Sequence, residues 1–576
     1  MNQSVLILMM LIPLASALAV AVAPASRTRF LAVAGTAISL FFAIYAAMIF
    51  QWDRAADMQM GTANPIAWIP SLGLKFEVGI DSVSMLLLLL TALLGPICVI
   101  CSFTAIKERE KTYYAWLLVL QAAMTGVFCA RDVILFYICF EFTLVPMFIL
   151  ISLWGSTNRK KAAIKFFLYT FTGSVLALAG LVYVAWYHTQ HGNGHQWTFN
   201  IATLGDAARS MSLKEQTWVM FALLAGFAVK VPLFPVHTWL PLAHTEAPTA
   251  GSVILAGVLL KLGTYALLRF VLPFVPDAVI VYAPFIGALC IIGIIYGGLI
   301  CWVQTDVKKL VAYSSVAHLG FCVLGMFALN NAGIAGSILY MINHGLSTGA
   351  LFLLIGMIYE RYHTRSMKEL GGLAARMPVW ATFMVFFTMA SVGLPGLNGF
   401  VSEFLCIMGT YQASTAWGSG LWHSMSRQVG VTPGELGPWY AIIAGTGMII
   451  AAMYLLYMLG KIVWGPLKLP AGHDGHGEHE AGALPTDLSR REIGVLVPLA
   501  VLCVALGVYP KPLIDAVKEP ADKIVGYFDN PRAHPKMLHA EVPKRPVAPA
   551  GQHLEALNPD MTSAANPRPL TREVGQ

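Results

Sequence analysis

The chain has 576 residues, of which 57% are hydrophobic and 12% are charged. This balance excludes a soluble globular protein, because soluble domains carry about twice that share of charged residues. The formal net charge of +7 comes largely from basic residues in short loops and indicates membrane topology rather than nucleic-acid binding.

Fourteen apolar stretches are long enough, or nearly so, to cross a bilayer, which needs about 20 residues of helix. The first resembles a signal peptide around Ala15-Ser16-Ala17, but residues 1–4 contain no basic residue, so we interpret it as the first span. The sequence thus predicts an all-α polytopic membrane protein with about 14 transmembrane helices. These stretches lie near residues 3–22, 30–50, 82–104, 113–130, 132–154, 164–187, 216–235, 247–268, 277–302, 308–329, 332–359, 378–412, 437–463 and 493–510.

Lysine and arginine are distributed unevenly between alternate loops. Because cytoplasmic loops carry an excess of these residues, the loops after odd-numbered spans are predicted to be cytoplasmic and both termini periplasmic, in a bacterial inner membrane. The basic residues of the tail argue the other way, but long segments count little in this rule. The odd loops hold Arg27, Arg29, Lys107, Arg109, Lys111, Arg159, Lys160, Lys161, Lys308, Lys309, Arg361, Arg365, Lys368, Arg376, Lys468, Arg490 and Arg491, and the even loops hold Arg54, Lys75, Arg131, Arg209, Lys214, Arg269 and Arg427.

The chain divides into five regions. Two of them are groups of five spans whose fourth span contains helix breakers in mid-membrane, Pro232 and Pro235 in one and Gly393 to Gly399 in the other. Matching breaks in corresponding positions point to inverted repeats with the functional site at the break. The predicted regions are an N-terminal three-helix region (1–112), the first five-helix repeat (113–268), the second five-helix repeat (269–463), a cytoplasmic loop with the last span (464–510), and a polar proline-rich tail without a long amphipathic helix (511–576).

Four ionisable residues lie within or at the breaks of apolar spans: Glu141, Lys230, Lys261 and Glu403. A charge at the bilayer centre costs at least about 2.5–3.5 kcal/mol, so such a residue normally faces a polar interior and often carries ions or protons. The alternative is that each proline only kinks a helix and each charge reaches the membrane surface. Glu141 is too deep for that, because Asp132 at the start of its span is about 14 Å away along a helix.

No cofactor site is predicted in this chain. The nine cysteines are scattered, and Cys98 and Cys101 form a single C-x-x-C pair, whereas an iron–sulfur site needs four thiolates or an equivalent set. We interpret them as packing residues. No glycine-rich phosphate loop follows a strand. His473, His476 and His479 are metal-ligand types, but their glycine-rich spacing gives no fixed geometry, and we interpret them as part of a solvated loop.

Three strings carry a resemblance to a known family: WLPLAHTEAPTAGSV from Trp239, LLKLGTY from Leu259 and DVKKLVAYSSVAHLG from Asp306. Over residues 80–510 the chain resembles the antiporter-like subunits of respiratory complex I. The string GFVSEFL from Gly399 resembles the NuoM type, called subunit 4 in mitochondria, because sister subunits and Mrp antiporters typically carry lysine where this chain has Glu403.

The resemblance implies a proton-translocating subunit of NADH:quinone oxidoreductase. It implies that Glu141 is the acidic partner that controls protonation of Lys230, that Lys261 relays protons onward, and that Glu403 titrates on the exit side. If Glu141 and Lys230 separate, the lysine loses the charge that stabilises its ammonium, and a proton moves on toward Lys261. Histidines suit the intermediate steps, and His237, His318 and His344 match histidines on or beside the family's hydrophilic axis.

The resemblance also implies that FMN, iron–sulfur clusters and quinone belong to other subunits. The implied partners are the other membrane-arm subunits, especially the sister antiporter-like subunits, together with lipids and protons but no nucleic acid. Two related interpretations stay open, an Mrp-type sodium/proton antiporter subunit and a membrane subunit of a formate-hydrogenlyase-like hydrogenase. A purely structural scaffold would not need mid-bilayer charges and breaks in both groups.

Overall fold

The structure is a computed structural model that describes residues 2–62, 65–192, 196–414, 435–468 and 486–529. Its architecture confirms the predicted all-α polytopic membrane fold. The histidines of the 473–479 loop and the prolines of the tail beyond residue 529 lie outside the described residues.

The bounds of the elements follow the predicted spans closely. The first helices are Asn2–Val22, Thr28–Ile49, Ser82–Ala105, Glu110–Cys129, Val133–Phe142, Leu144–Trp154, Arg159–His191, Ile201–Arg209, Leu213–Lys230 and Leu240–Glu246. The later helices are Thr249–Ile254, Leu260–Ala266, Leu272–Phe274, Pro276–Trp302, Val307–Phe327, Asn331–Tyr362, Pro378–Val392, Asn398–Gln412, Pro438–Ile462, Arg490–Val508 and Lys511–Asp529. Short 3-10 turns cover Ala25–Arg27, Trp52–Arg54, Pro70–Leu72 and Leu373–Ala375, and the strands are Ile66–Ile69 and Leu74–Phe76.

Aspartates begin three of the membrane helices. The side chain of Asp81 accepts the backbone N–H of Ser84, and Asp132 and Asp306 each accept two backbone N–H groups of the turn that follows them. These bonds satisfy amides that a helix start leaves without an internal partner. The helix starts are therefore encoded locally in the sequence.

Within the described residues, twelve helical segments are long and apolar enough to cross a membrane. The two predicted spans missing from that set, near 216–235 and 378–412, are the ones with helix breakers. Both breaks are present, since helix ends at Lys230 and resumes at Leu240, and ends at Val392 and resumes at Asn398. The total of fourteen crossings and the inverted-repeat relationship stay predictions.

Glycine conformation explains the second break. Gly393 and Gly396 have φ values of 83° and 92°, a left-handed region that glycine enters without the steric strain of a Cβ. Gly393 ends the preceding helix in this conformation. In the first break, Pro232 and Pro235 remove two backbone donors.

Lys261 lies on an unusual helix. Thr249–Phe274 continues through two wide π-helical turns, Leu255–Leu259 and Leu267–Val271, on either side of the α-helical segment Leu260–Ala266. Hydrophobic periodicity did not predict these turns. The helix Asn331–Tyr362 packs on this helix, and the most apolar stretch of each is completely buried. They form the centre of the molecule, and they carry Lys261 and His344.

The loops gather on two faces. On one, here called the hairpin face, strand Ile66–Ile69 pairs antiparallel with Leu74–Phe76, and helix Lys511–Asp529 packs against Ser82 and Asn331. The other, here called the cleft face, carries a cleft of about 1150 Å³. Basic residues of the odd-numbered loops line that cleft, namely Arg29, Lys107, Lys308, Arg361, Arg365 and Arg491.

The first 19 residues of the predicted polar tail, Lys511–Asp529, have a regular structure that the sequence analysis did not predict. They form an amphipathic helix directly after the last span, Arg490–Val508. Its buried side chains recur at helical spacing, which the proline content of the tail obscured. They are Leu513, Val517, Ala521, Ile524 and Phe528.

Candidate functional site

The Lys261 ammonium is completely buried and has two polar neighbours. It donates a hydrogen bond to the carbonyl of Ala256, which lies in the wide turn just before it, and it lies 2.7 Å from Nδ1 of His344. Buried polar groups need such partners. The wide turn and the histidine therefore keep a lysine at the centre of an apolar bundle.

A second set of contacts continues from His344. Its ring meets the ring of His318 edge-on, with centroids 5.8 Å apart. Nδ1 of His318 lies 2.8 Å from the Tyr340 hydroxyl and 3.3 Å from Oε1 of Glu403. The Tyr340 hydroxyl donates to the same carboxylate oxygen over 2.6 Å. Four residues predicted from the sequence are thus brought together, and Tyr340 is a member that the sequence analysis missed.

The second broken helix positions Glu403. The amide of Asn343 donates to the carbonyl of Asn398 over 2.7 Å and to the Ser402 hydroxyl over 3.2 Å, and the Asn398 amide donates back to Asn343. These bonds fix the start of the helix Asn398–Gln412. A Cβ on Gly393 would come within 2.6 Å of a Glu403 carboxylate oxygen, so the glycine leaves the space that this oxygen occupies.

The first broken helix brings Lys230 beside Glu141, but not into contact with it. The lysine ammonium donates to the Thr143 hydroxyl over 3.3 Å and lies 4.6 Å from the centroid of the Phe140 ring. The carboxylate oxygens of Glu141 are buried, and the side chain of Ser174 is their polar neighbour. Glu141 interacts electrostatically with Lys230, without an ion pair closer than 4.0 Å. Glu141 and Lys230 are thus neighbours, as predicted, but no salt bridge joins them, an arrangement here called open.

His237 lies apart from the other predicted residues. It is buried in the first break, with its ring 5.9 Å from the Phe234 ring and 5.7 Å from the Tyr296 ring. Within the part of the chain that the structure describes, Nδ1 of His237 makes no hydrogen bond. The structure therefore does not connect His237 with Lys261 or the other two histidines.

Two further buried groups were missed. Lys308, which the sequence analysis assigned to a loop, instead lies in the first turn of the helix Val307–Phe327 with its side chain buried. Its ammonium donates to the carbonyl of Ala247 over 2.5 Å and lines the cleft. His244 stacks on Phe352 at 4.6 Å and interacts electrostatically with both Lys308 and Lys261.

These groups extend from one face to the middle of the molecule. Lys308 lies at the cleft, His244 is near enough to interact electrostatically with both Lys308 and Lys261, and Lys261 contacts His344. The signal for His244 was present in the string that carries the family resemblance, but one sequence does not reveal which histidine of a buried helix faces a lysine.

Comparison with known proteins identifies the family of this chain. Residues 130–427 match the family described as NADH:quinone oxidoreductase/Mrp antiporter, transmembrane. The chain belongs to this family. Members similar to it include NADH-quinone oxidoreductase subunit M of Rhodobacter capsulatus, 40% identical over 523 residues, which are 89% of this chain and 95% of the relative. NADH-ubiquinone oxidoreductase chain 4 of Marchantia polymorpha is 38% identical over 526 residues, 90% of this chain and 97% of the relative.

Solved structures of the family share the fold. A chain of respiratory complex I from Thermus thermophilus with bound NADH aligns with a TM-score of 0.75 and 27% identity, covering 92% of this chain and 99% of that chain. The Mrp complex from Dietzia sp. aligns with a TM-score of 0.74 at 21% identity, covering 93% of this chain and 99% of that chain, a likeness of fold alone. The predicted resemblance to the M-type antiporter-like subunits is confirmed by the named relatives.

Proposed function

We propose that this chain is a proton-translocating membrane subunit of NADH:quinone oxidoreductase. The observation that carries the proposal is the buried set of contacts joining Lys261, His344, His318 and Glu403. Every member can gain and lose a proton, and such groups inside a membrane protein mark ion and proton pathways. A scaffold would gain nothing from four buried titratable side chains in series.

Protons are taken up at the cleft face. Lys308 lines the cleft, and His244 interacts electrostatically with both Lys308 and Lys261, so we place it as the step between them. From Lys261 the proton passes to His344, then His318, and then to Glu403 with the help of the Tyr340 hydroxyl. A cavity of about 10 Å³ lies among His318, His344 and Glu403, about the size that one water molecule needs, and it is lined by side chains that such a water bonds.

The Glu141–Lys230 pair acts as a switch. The open arrangement, with Lys230 bonded to Thr143 instead of the carboxylate, corresponds to the state in which the lysine ammonium lacks a counter-charge. Closing the pair stabilises the ammonium, and opening it favours release of the proton toward Lys261. Quinone reduction elsewhere in the complex drives the cycle.

The chain works inside an enzyme complex. Its proposed partners are the other membrane-arm subunits, above all the sister antiporter-like subunits, and surrounding lipids; FMN, iron–sulfur clusters and quinone are held by other subunits. Residues 113–268 and 269–463 are proposed to be the two inverted units. The cleft face, with its basic loops, is proposed to be cytoplasmic, which places both termini on the periplasmic side of a bacterial inner membrane.

Glu141→Gln tests the function in the assembled complex. The amide keeps the shape but removes the charge that acts on Lys230, so we expect proton pumping and quinone-coupled turnover to be severely impaired. Glu110→Gln is the control, because Glu110 pairs with Arg29 over 2.7 Å at the partly exposed end of its helix. Near-normal pumping by assembled Glu141→Gln complex would count against the proposal.

A further inference from the structure

The helix that carries Lys261 continues as a buried polar line toward the hairpin face. Tyr265 and Arg269 follow Lys261 at intervals of four residues, a spacing that places all three on one side of the helix. Tyr265 lies in the α-helical segment with Lys261, and Arg269 lies in the wide turn that follows. Tyr265 is buried, and the Arg269 side chain is only 18% exposed. The proposed pumping route uses neither residue.

Hydroxyl groups connect this polar line to the neighbouring helix, Ser82–Ala105. The Tyr265 hydroxyl lies 2.8 Å from Oγ of Ser84, and the same Ser84 oxygen accepts a hydrogen bond from the Arg269 guanidinium over 3.2 Å. A hydroxyl both donates and accepts, so a pair of them is able to pass a proton. The hydroxyl pair lies one helical turn from Lys261, on the side of the hairpin face.

A cavity of about 190 Å³ opens at the far end of the line, on the hairpin face. Tyr265, Asp81 and Arg269 line it, and Lys523 and Tyr527 of the amphipathic C-terminal helix contribute to its wall. Its size is sufficient for several water molecules. Arg269 thus lies where water from this face would meet the hydroxyls.

Asp81 holds Arg269 in that place. The guanidinium donates to the Asp81 carboxylate, whose side chain is 3% exposed, and it also lies 5.1 Å from the centroid of the Tyr265 ring. Asp81 is itself fixed as the cap of its helix, accepting the backbone N–H of Ser84 over 3.0 Å. A second guanidinium, that of Arg131, lines the same cavity and pairs with Glu77 at 3.8 Å.

We propose that Arg269, held by Asp81 and Ser84, is an electrostatic seal that keeps protons of the hairpin-face cavity from reaching Lys261 through the Tyr265 and Ser84 hydroxyls. Arginine does not lose its proton in proteins, so it cannot relay one, and its fixed charge repels an approaching proton, as arginines do in selective pores. The inference rests on the proposed function of Lys261. A pump needs such a seal, because protons returning by this line would cancel those it has moved.

Passive proton permeability of the assembled complex in liposomes tests the seal without turnover, with a potassium diffusion potential as the driving force and a trapped pH dye as the readout. Arg269→Gln should raise the permeability about tenfold, the change that follows when a barrier falls by about 1.4 kcal/mol. The double variant Asp81→Asn, Arg269→Gln should leak equally, and it avoids an unpaired buried carboxylate while keeping the helix cap. Arg269→Lys keeps the charge but is able to release its proton, so it should leak less than Arg269→Gln.

The matched control is Arg361→Gln, which breaks the similarly buried pair of Arg361 with Glu492 on the cleft face, where the side chains are 15% and 8% exposed. It should not leak. Adding Lys261→Met to Arg269→Gln should abolish the leak. Three results would each overturn the proposal: no leak in the double variant Asp81→Asn, Arg269→Gln, a leak in Arg269→Lys as large as in Arg269→Gln, or a leak that survives the addition of Lys261→Met. Unchanged driven pumping in the single variant Lys261→Met would instead overturn the proposed function.

Discussion

The ammonium of Lys261 lies 2.7 Å from Nδ1 of His344, and both groups are buried. At that distance one of the two nitrogens donates and the other accepts, so only one of them holds the shared proton. Charging both would place two like charges side by side in a medium of low dielectric constant. The pair is therefore suited to hand a single proton from the lysine to the histidine.

The neighbouring residues Lys308 and Lys309, which lie in the same helical turn, provide a test of proton uptake at the cleft. Lys308 is buried and points to Ala247, whereas its neighbour Lys309 is exposed. Lys308→Met should slow proton uptake and lower turnover, because it removes the titratable group between the cleft and His244. Lys309→Met removes the same charge without reaching the interior and should behave like the wild type. Equal effects of the two variants in assembled complex would show that only the surface charge matters.

We expect proton pumping to depend on the hydroxyl of Tyr340 more than on the packing of its ring. Tyr340→Phe removes the bond to Glu403 and the contact with His318, at 2.6 Å and 2.8 Å, while the packing volume is almost unchanged. Hydrogen bonds to charged groups contribute about 1.5–3 kcal/mol, so we expect the pumping rate to fall by about tenfold or more, with normal assembly. Steady-state pumping in vesicles measures this. A rate equal to that of the wild type would remove Tyr340 from the route.

Alanine variants of Gly393 and Gly396 distinguish the effect of backbone strain from the effect of crowding the Glu403 carboxylate. Both have a left-handed conformation that alanine enters only with strain, about 1 kcal/mol or more. Only at Gly393 would the new Cβ also come within 2.6 Å of the Glu403 carboxylate; at Gly396 nothing lies within 4 Å. Gly393→Ala should therefore lose pumping beyond any loss of assembled complex, and Gly396→Ala should lose assembly alone. The two variants behaving alike would argue against a special position of Glu403.

The features that the sequence revealed by itself are those whose signal is local. Apolar runs mark the spans, and the breaks at Pro232 and Gly393 are visible because proline and glycine act on their own backbone. Lys261 and Glu403 are conspicuous because charge is rare in such runs. Each of these signals lies within one segment of the chain.

The rest depends on how segments pack. Lys261 and His344 come from different helices, and the spacing of one helix does not reveal which residue of another faces it. Tyr340 and His244 look like ordinary members of buried helices until the partner is known. Lys308 was misjudged because a basic residue at a helix start is usually exposed, whereas here its side chain is buried and bonds to the carbonyl of Ala247. The wide turns around Lys261 have no periodic signature at all.

The proton-to-electron ratio of complex carrying Lys261→Met tests the central claim most directly. Methionine resembles lysine in length and shape but has no proton to pass, so the contact with His344 is lost while the helix remains packed. Proton release and NADH oxidation are measured together in sealed vesicles. We predict that turnover falls and that the remaining turnover moves fewer protons per electron. An unchanged ratio at normal turnover in fully assembled complex would contradict a relay through Lys261.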